Sequence, residues 1–325
     1  MTVWPLTKLA PAATPAAAGA APAPAAPPTA ESLREAWWAA DHAIEPRPYW
    51  REVRRRFFTN RAGVVALAGL GLIVVTSVLA PLLAPYDPLV GVATDRLMPP
   101  FSGSHVLGTD EQGRDLLTRL LYGGQLSLLA GFVPTVIATV IGTAIGTWSG
   151  YKRGASGTVL MRGMDMLYAF PAILLAIAIG ASLGGGLLNS ILAVSVVFIP
   201  PIARVAESAT RQVVVQEYME AARLSGAGSL RLLRTQVLPN VLNQILVYAS
   251  GLVGVAMLIA AGLSFLGLGS QPPTPEWGYM LNSMRDTLYS APVNTMLPGL
   301  MIFLTSVAFN TASDALRESM DMRLT

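Results

Sequence analysis

Residues 124–149 read GQLSLLAGFVPTVIATVIGTAIGTWS, and this stretch decides the class of fold. It contains no charged side chain, and an α-helix needs roughly 20 predominantly apolar residues to cross the hydrocarbon core of a bilayer. Interior prolines are not expected to break this or the later spans, because neighbouring helices in a bundle satisfy the backbone groups that a proline frees; this prediction covers Pro134, Pro171, Pro200 and Pro201. The stretch therefore predicts a membrane-spanning helix.

The composition of the whole chain agrees with a membrane location. Of the 325 residues, 53% are hydrophobic and 13% are charged, and the mean hydropathy is +0.52. A soluble domain carries about 25% charged residues, so this chain lacks the polar surface of a soluble protein. The absence of cysteine excludes disulfides, catalytic thiolates and cysteine-ligated metals. Basic residues lie beside the apolar runs, which indicates membrane orientation rather than nucleic-acid binding.

Five further apolar stretches have the length of a membrane span. Spans three and four are separated only by the glycine-rich ASLGGG, which predicts a tight hairpin. The chain is therefore predicted to be an all-α membrane protein whose six transmembrane helices form one domain over residues 62–315. In chain order, the predicted spans are 62–84, 124–149, 160–182, 186–205, 241–266 and 293–312.

Lysine and arginine in the short connections predict the orientation of these helices. They cluster before span one, between spans two and three, and between spans four and five. These clusters should lie in the cytoplasm, so both termini are expected there, including a tail at 316–325. The segments 85–122 and 267–292, with charges of mixed sign, are expected to face outward. The basic residues are Arg51, Arg54, Arg55, Arg56, Arg61, Lys152, Arg153, Arg162, Arg204, Arg211, Arg223, Arg231 and Arg234.

Two segments precede span one. Residues 1–30 are mostly alanine and proline, which predicts a disordered tail because proline blocks helices and alanine buries little apolar surface. Residues 31–61 read as an amphipathic cytoplasmic segment that ends in a basic and aromatic membrane collar, REVRRRFFTNR. A solvated helix without a specific role explains this segment equally well.

The connection between spans four and five, residues 206–240, is polar and rich in helix formers. Two glutamates three residues apart share one face of a helix. The small side chains of the alanines that follow allow another protein to approach closely, and the glycines can turn the chain. This pattern predicts a cytoplasmic helix–turn–helix that presents a small-residue face to a partner protein. A plain amphipathic interfacial helix is the alternative. The residues concerned are Glu217, Glu220, Ala221, Ala222, Gly226 and Gly228.

The same connection resembles the cytoplasmic EAA loop of ATP-binding-cassette import permeases. In that family the loop docks into a groove on the ATPase subunit and transmits its motion. At Gln236 the sequence departs from the family, which has an aliphatic residue there, and Val237 is expected to take over its packing role. The resemblance falls on Glu220, Ala221, Ala222, Gly226, Leu238 and Pro239, and Glu217 is included as the carboxylate on the same face.

Three further segments resemble permeases of the dipeptide, oligopeptide and nickel group, and the chain is similar to their C-type subunit. They are HVLGTDEQGRDLLTRLLYGGQLSLLAG at 105–131, LSFLGLGSQPPTPEWGYML at 263–281 and PGLMIFLTSVAFNTASDALRESMDMRL at 298–324. The resemblance implies a heterodimer with a homologous permease, two ATPase subunits that hold ATP and magnesium, and an extracytoplasmic substrate-binding protein. It also implies a multi-pass location in the inner membrane of a prokaryote.

Two outward segments hold further candidate residues. A single histidine among scattered carboxylates is weak support for a metal site, and helix capping by an aspartate before span two is the stronger interpretation. We expect both segments to help receive the binding protein, with a purely structural lid as the alternative, and Trp277 to be an interfacial anchor. The candidates are His105, Asp110, Arg114, Asp115, Pro273, Glu276 and Trp277.

The chain is predicted not to be an enzyme and to bind no cofactor of its own. No phosphate-binding loop of the form G-x-x-x-x-G-K-[ST] occurs, so ATP hydrolysis must belong to another chain. Two other classes remain as alternatives at this stage, a secondary transporter coupled to an ion and a membrane scaffold or insertion factor. The substrate is open among dipeptides, oligopeptides, nickel, glutathione and sugars, with peptides as the default.

Overall fold

The computed structural model describes residues 29–34, 38, 49–152 and 154–320. The chain divides into two compact units, Met1–Pro48 and Tyr49–Thr325. In the first unit, residues 30–34 are helical. The disordered tail predicted at 1–30 lies outside the described residues except for its last two positions, and so do Arg153 and residues 321–325.

The regular secondary structure of the second unit is helical in its described part, where two isolated β-bridges are the only extended pairing, and irregular loops occupy most of 84–115 and all of 266–276. Short 3₁₀ turns occupy Ala93–Asp95 and Arg285–Thr287, and a π-helical turn occupies Leu233–Val237. The α-helices are α1 Tyr49–Thr59, α2 Arg61–Val78, α3 Ala80–Leu83, α4 Leu116–Tyr151, α5 Ala155–Tyr168, α6 Ala172–Leu183, α7 Leu187–Val214, α8 Glu217–Leu224, α9 Ser229–Leu232, α10 Leu238–Phe265, α11 Trp277–Ser283 and α12 Pro292–Met320.

Five helical segments within the described residues are long and apolar enough to cross a membrane. They are α2, α4, α7, α12 and the continuous stretch Ser229–Phe265 that ends in α10. Several exceed the hydrophobic thickness of a bilayer: α4 has 36 residues, which is about 54 Å at the rise of an α-helix. The ends of these helices therefore extend beyond the membrane and position the sites described below.

The third predicted span, at 160–182, is not one straight helix. The chain bends by 91° between α5 and α6, so the count is six spans only if this bent pair is taken as one. The break falls at Pro171, which has no amide hydrogen to donate and disfavours helical geometry in the residue before it. Pro134, Pro200 and Pro201 lie inside continuous helices and are buried among neighbouring helices, as the sequence predicted.

The central contact of the bundle is the packing of α4 along α7. Three glycines of α4, spaced by four residues, face α7. A Cβ atom on Gly142 would lie 2.9 Å from the carbonyl oxygen of Ile199, and one on Gly150 would lie 2.8 Å from that of Glu207. Between them, Gly146 lies against Ala206 in the same way. Small residues at this spacing allow two helix backbones to approach closely, which stabilises helix pairs in membranes through van der Waals contact.

We predict that Gly146→Leu lowers the stability of the folded protein by about 1–3 kcal/mol, because the added side chain has no space between α4 and α7. Gly69→Leu is the matched control, since a Cβ atom on Gly69 in α2 meets nothing within 4 Å. Thermal unfolding of the two purified variants in detergent measures the difference. Equal unfolding midpoints would contradict close packing of α4 on α7.

Candidate functional site at the polar insert and the charged hub

The polar insert, residues 215–237, connects α7 to α10. Helix α7 continues to Val214, well beyond position 206 where the connection was predicted to begin. The insert then contains α8, a turn, α9 and the π-helical turn. Glu217 and Glu220 lie in the first turn of α8, where carboxylates favourably face the positive end of the helix dipole.

One side of α8 is attached to the helix bundle through a single buried side chain. Met219 is fully buried and belongs to the hydrophobic core. The same core contains Val214 at the end of α7, and Leu233 and Val237 of the π-helical turn. Met219 therefore attaches α8 to the core that also contains both ends of the insert.

The opposite side of α8 is open. Glu217, Glu220 and Ala221 are exposed, and Leu224 has 85% of its surface accessible. Ala222 is partly buried, and the exposed apolar residues of the insert also include Val215, Tyr218 and Leu230. This open side therefore combines carboxylates with apolar side chains, and burial of Leu224 would contribute roughly 1.5–3 kcal/mol.

A cation–π contact joins α8 to α4. The guanidinium carbon of Arg223 lies 5.4 Å from the ring centroid of Tyr151, the last residue of α4. A guanidinium at this distance from an aromatic face is attracted by the negative charge of the ring face. The contact joins α8 to the end of the helix that packs along α7.

Gly226 gives the turn after α8 its shape. Its φ angle is +79°, which residues with a side chain rarely adopt, although a Cβ atom there would meet nothing within 4 Å. Gly228 has an ordinary φ of −64°. Leu238 and Pro239 lie apart from this turn, at the start of α10 and directly after the π-helical turn. Beside them, Val237 is fully buried and Gln236 partly so.

The charged hub lies at the other end of α4 and comprises His105, Asp110, Arg114, Asp115 and Arg119. Asp110 Oδ2 pairs with Arg114 Nε at 2.7 Å and with Arg119 Nε at 3.4 Å. Asp110 Oδ1 also accepts hydrogen bonds from the backbone amides of Gln112 and Arg114. All three charged side chains are buried, so each charge needs the others: removal of one would leave an uncompensated buried ion.

Asp115 caps α4, as predicted. Its Oδ2 atom accepts a hydrogen bond of 2.8 Å from the Thr118 amide, and its Oδ1 atom lies 2.9 Å from His105 Nδ1. Burial raises the pKa of the neighbouring Glu111, and the nearby carboxylate of Asp110 adds to the shift. Within the described part of the chain, no group of three His, Cys, Asp or Glu residues could hold a metal ion.

Glu276 joins the hub end of α4 to α11. Its carboxylate accepts hydrogen bonds of 2.9 Å from the Ser127 hydroxyl and from the amides of Gly278 and Tyr279. The carboxylate is almost fully buried, and three donors compensate for its desolvation.

Trp277 is not at a membrane interface, contrary to the prediction. It is fully buried, and its Nε1 atom donates a hydrogen bond of 2.9 Å to the carbonyl oxygen of Leu120. The ring fits because α4 has glycine where it passes, and a Cβ atom on Gly123 would lie 2.9 Å from the ring. Tryptophan with a satisfied N–H packs well in a core, and no local pattern around Trp277 indicates that glycines of α4 provide the space.

Of the seven outward candidates, only Pro273 is exposed. The other six lie in two buried groups that fasten the loop segments to α4 and α11. Sequence reasoning missed Arg119, Ser127, Met219 and Tyr151. The i, i+4 spacing of Met219 and Arg223 was a usable signal for the attached side of α8, whereas the contacts of Arg119 and Ser127 join distant parts of the chain.

Two family models match the chain. Residues 142–325 match the model described as binding-protein-dependent transport system inner membrane component. The chain belongs to this family. Residues 48–100 also match the model described as the N-terminal TM domain of oligopeptide transport permease C.

Curated bacterial relatives also support the assignment of this chain to the permease family. The di/tripeptide transport system permease protein DppC of Pseudomonas aeruginosa is 41% identical over 286 residues, covering 86% of this chain and 94% of the relative. The glutathione transport system permease protein GsiD of Pectobacterium atrosepticum is 41% identical over 278 residues, covering 86% and 92%. The MetNI methionine ABC transporter, solved in inward-facing conformations, has a TM-score of 0.52 at 19% identity, over 63% of this chain and 97% of that chain. This last similarity concerns the fold alone.

The predicted family is therefore confirmed. The permease is the membrane subunit of an ABC importer and an integral inner-membrane protein, and ATP is hydrolysed on another subunit. This excludes the two alternative classes, a secondary transporter and a membrane scaffold.

We predict that Glu276→Gln destabilises the permease by about 1–3 kcal/mol, because an amide cannot replace a carboxylate that accepts from three donors, and a buried N–H is left without a partner. Asp286→Asn is the control, since the Asp286 side chain is 86% exposed. Thermal unfolding in detergent compares the two. A Glu276→Gln midpoint equal to that of the control would show that the carboxylate is not needed for the fold.

Proposed function

We propose that the permease carries short peptides across the membrane and is driven by its ATPase partners through the polar insert. The observation that carries this proposal is the two-sided geometry of α8. One side is attached to the bundle through Met219, and the other presents Glu217, Glu220 and Ala221 beside the exposed Leu224. A segment that transmits motion needs both a fixed attachment and a free contact surface.

The orientation we propose places the polar insert and both termini in the cytoplasm. Exposed arginines at the insert support this, because basic residues favour the cytoplasmic side of short connections. Arg211, Arg223, Arg231 and Arg234 are all exposed. The charged hub, at the far end of α4, then faces outward.

In the proposed complex, this chain pairs with a homologous permease, two ATPase subunits bind ATP with magnesium, and an extracytoplasmic protein delivers the substrate. ATP binding closes the ATPases and moves α8 with their groove. The contacts of Met219 with the core and of Arg223 with Tyr151 pass this motion to α4, α7 and α10. Alternating access follows if ATP binding has a different free energy in the two states of the bundle.

We further propose that the two outward segments receive the binding protein. Their buried side chains hold the surface in shape, and other residues of the same segments supply the contact. Phe101 and Tyr289 are the most exposed aromatic residues there, and Tyr289 has 97% of its surface accessible. Aromatic residues contribute strongly to protein interfaces, so these two residues are the proposed contacts. The buried hub supports the surface from below, and the exposed Pro273 lies at the edge of that surface.

The proposed substrate class rests on the relatives. One is named for di- and tripeptides and one for glutathione, and each name denotes a short peptide or peptide derivative. The shared chemistry is a flexible chain of amide groups that bears charged ends. An amide backbone can be recognised by hydrogen bonds without regard to its side chains, so one transporter can accept short peptides of different sequence.

We predict that mass spectrometry of the ligand released from the cognate binding protein identifies peptides of a few residues. The same peptides should drive ATP-dependent uptake into vesicles containing the full complex, and a free amino acid or nickel should not compete. Uptake of nickel or a sugar in place of peptide would overturn the substrate class while leaving the coupling proposal intact.

We predict that Gly226→Val lowers ATP-dependent uptake at least tenfold while the permease still inserts and assembles. A β-branched residue strains the positive φ of Gly226 by about 1–2 kcal/mol and moves α8 from its position. Gly228→Val is the matched control, because its φ is ordinary and the space around it is open. Uptake and ATP hydrolysis are measured in reconstituted vesicles. Equal uptake by the two variants would contradict coupling through this turn.

A further inference from the structure

A groove of about 780 Å³ lies between α1, α2, α10 and α12, away from the polar insert and the charged hub. Its walls are apolar, with Phe57 and Phe58 from α1, Leu70 from α2 and Phe309 from α12. The volume lies within the range of sites that hold small molecules, roughly 300–1,000 Å³. Phe58 is 60% exposed, so the groove opens sideways.

Two arginines stand at this groove, Arg51 and Arg54. They lie three residues apart on α1, so they share one face of the helix. Both are exposed, and neither has a hydrogen-bond or ion-pair partner among the residues that the structure describes. The long stems of such side chains can lie on apolar surface while the guanidinium groups stay in a polar layer.

The acidic residue of the same helix does not neutralise these two arginines. Glu52 hydrogen-bonds to Arg55 at 2.8 Å and to Arg56 at 3.2 Å, and these contacts lower the pKa of Glu52 to about 2. Glu52 is therefore ionised, and its carboxylate is hydrogen-bonded to Arg55 and Arg56. Ser250 and Ser313, which also line the groove, hydrogen-bond to each other at 2.9 Å. The groove thus combines apolar walls with two arginines that have no acidic partner in the described part of the chain.

We propose that this groove binds one anionic phospholipid, with an acyl chain against Phe58, Leu70 and Phe309 and the phosphate beside Arg51 and Arg54. Guanidinium groups match phosphate oxygens in charge and geometry. Basic pockets between transmembrane helices are suited to anionic head groups. In the orientation proposed above, the lipid belongs to the cytoplasmic leaflet. The bound lipid would connect α1 to α12 and thereby stabilise the start of the first span.

The test uses the full chain purified with its co-purifying subunits in detergent. Phosphatidylglycerol is titrated, thermal stability is measured, and native mass spectrometry counts the retained lipid. We expect one tightly retained phosphatidylglycerol and a rise in the unfolding midpoint, and no such rise with phosphatidylcholine or inorganic phosphate. Replacement of both Arg51 and Arg54 by glutamine should weaken the apparent affinity about 25-fold, at about fivefold for each basic residue beside an anionic lipid.

Arg55→Gln is the control for loss of a positive charge from the same helix, because Arg55 pairs with Glu52 and does not line the groove. It should retain the affinity of the unmodified protein. Ala312→Phe keeps both arginines and fills the groove, and it should also displace the lipid. The proposal is overturned if Arg55→Gln loses as much affinity as the double variant, or if inorganic phosphate gives the full stabilisation. It is equally overturned if phosphatidylglycerol has no effect, as expected where another protein segment fills the groove.

Discussion

The close packing of α4 on α7 is the constraint on which the other contacts of this permease depend. Without a hydrophobic driving force between helices in lipid, the pair is held by van der Waals contact, which requires small residues at the seam. Gly142, Gly146 and Gly150 supply them. The charged hub lies at the first turn of α4 and Tyr151 is its last residue, so the length of this helix sets the distance between the two sites and the seam sets where the Tyr151 end lies against α7.

The charged hub illustrates why buried ions can be retained where a membrane protein meets water. Desolvation of Asp110, Arg114 and Arg119 is costly, and an apolar cluster of the same size would give similar or better stability. Charges nevertheless define geometry more closely than apolar contacts, because each hydrogen bond has a preferred direction. Arg119 also donates to the carbonyl oxygen of Pro88, so the hub fixes the start of the irregular loop that precedes α4.

Local patterns in the sequence predicted the class of fold and most spans, since hydropathy depends on composition within one segment. They also predicted the cap at Asp115 and the helix at 217–224. What failed depended on contacts between segments. Pro171 breaks a span while Pro134 does not, and only the buried surroundings of Pro134 distinguish them. The prediction that Trp277 is an interfacial anchor failed for the same reason, because its ring is buried in space left by Gly123, which is distant in sequence.

The attachment of α8 suggests how little contact a transmitting element needs. A helix fixed by many buried side chains would be rigid but would have no second position, whereas an unattached helix would move without effect on the bundle. Coupling between sites requires an element with two discrete arrangements that both sites can bias. One buried methionine and one cation–π contact fit this requirement: a flexible thioether side chain tolerates repacking, and the ring of Tyr151 can attract Arg223 over a range of positions. In the proposed complex, the exposed Leu224 supplies affinity for the ATPase partner without restricting that movement.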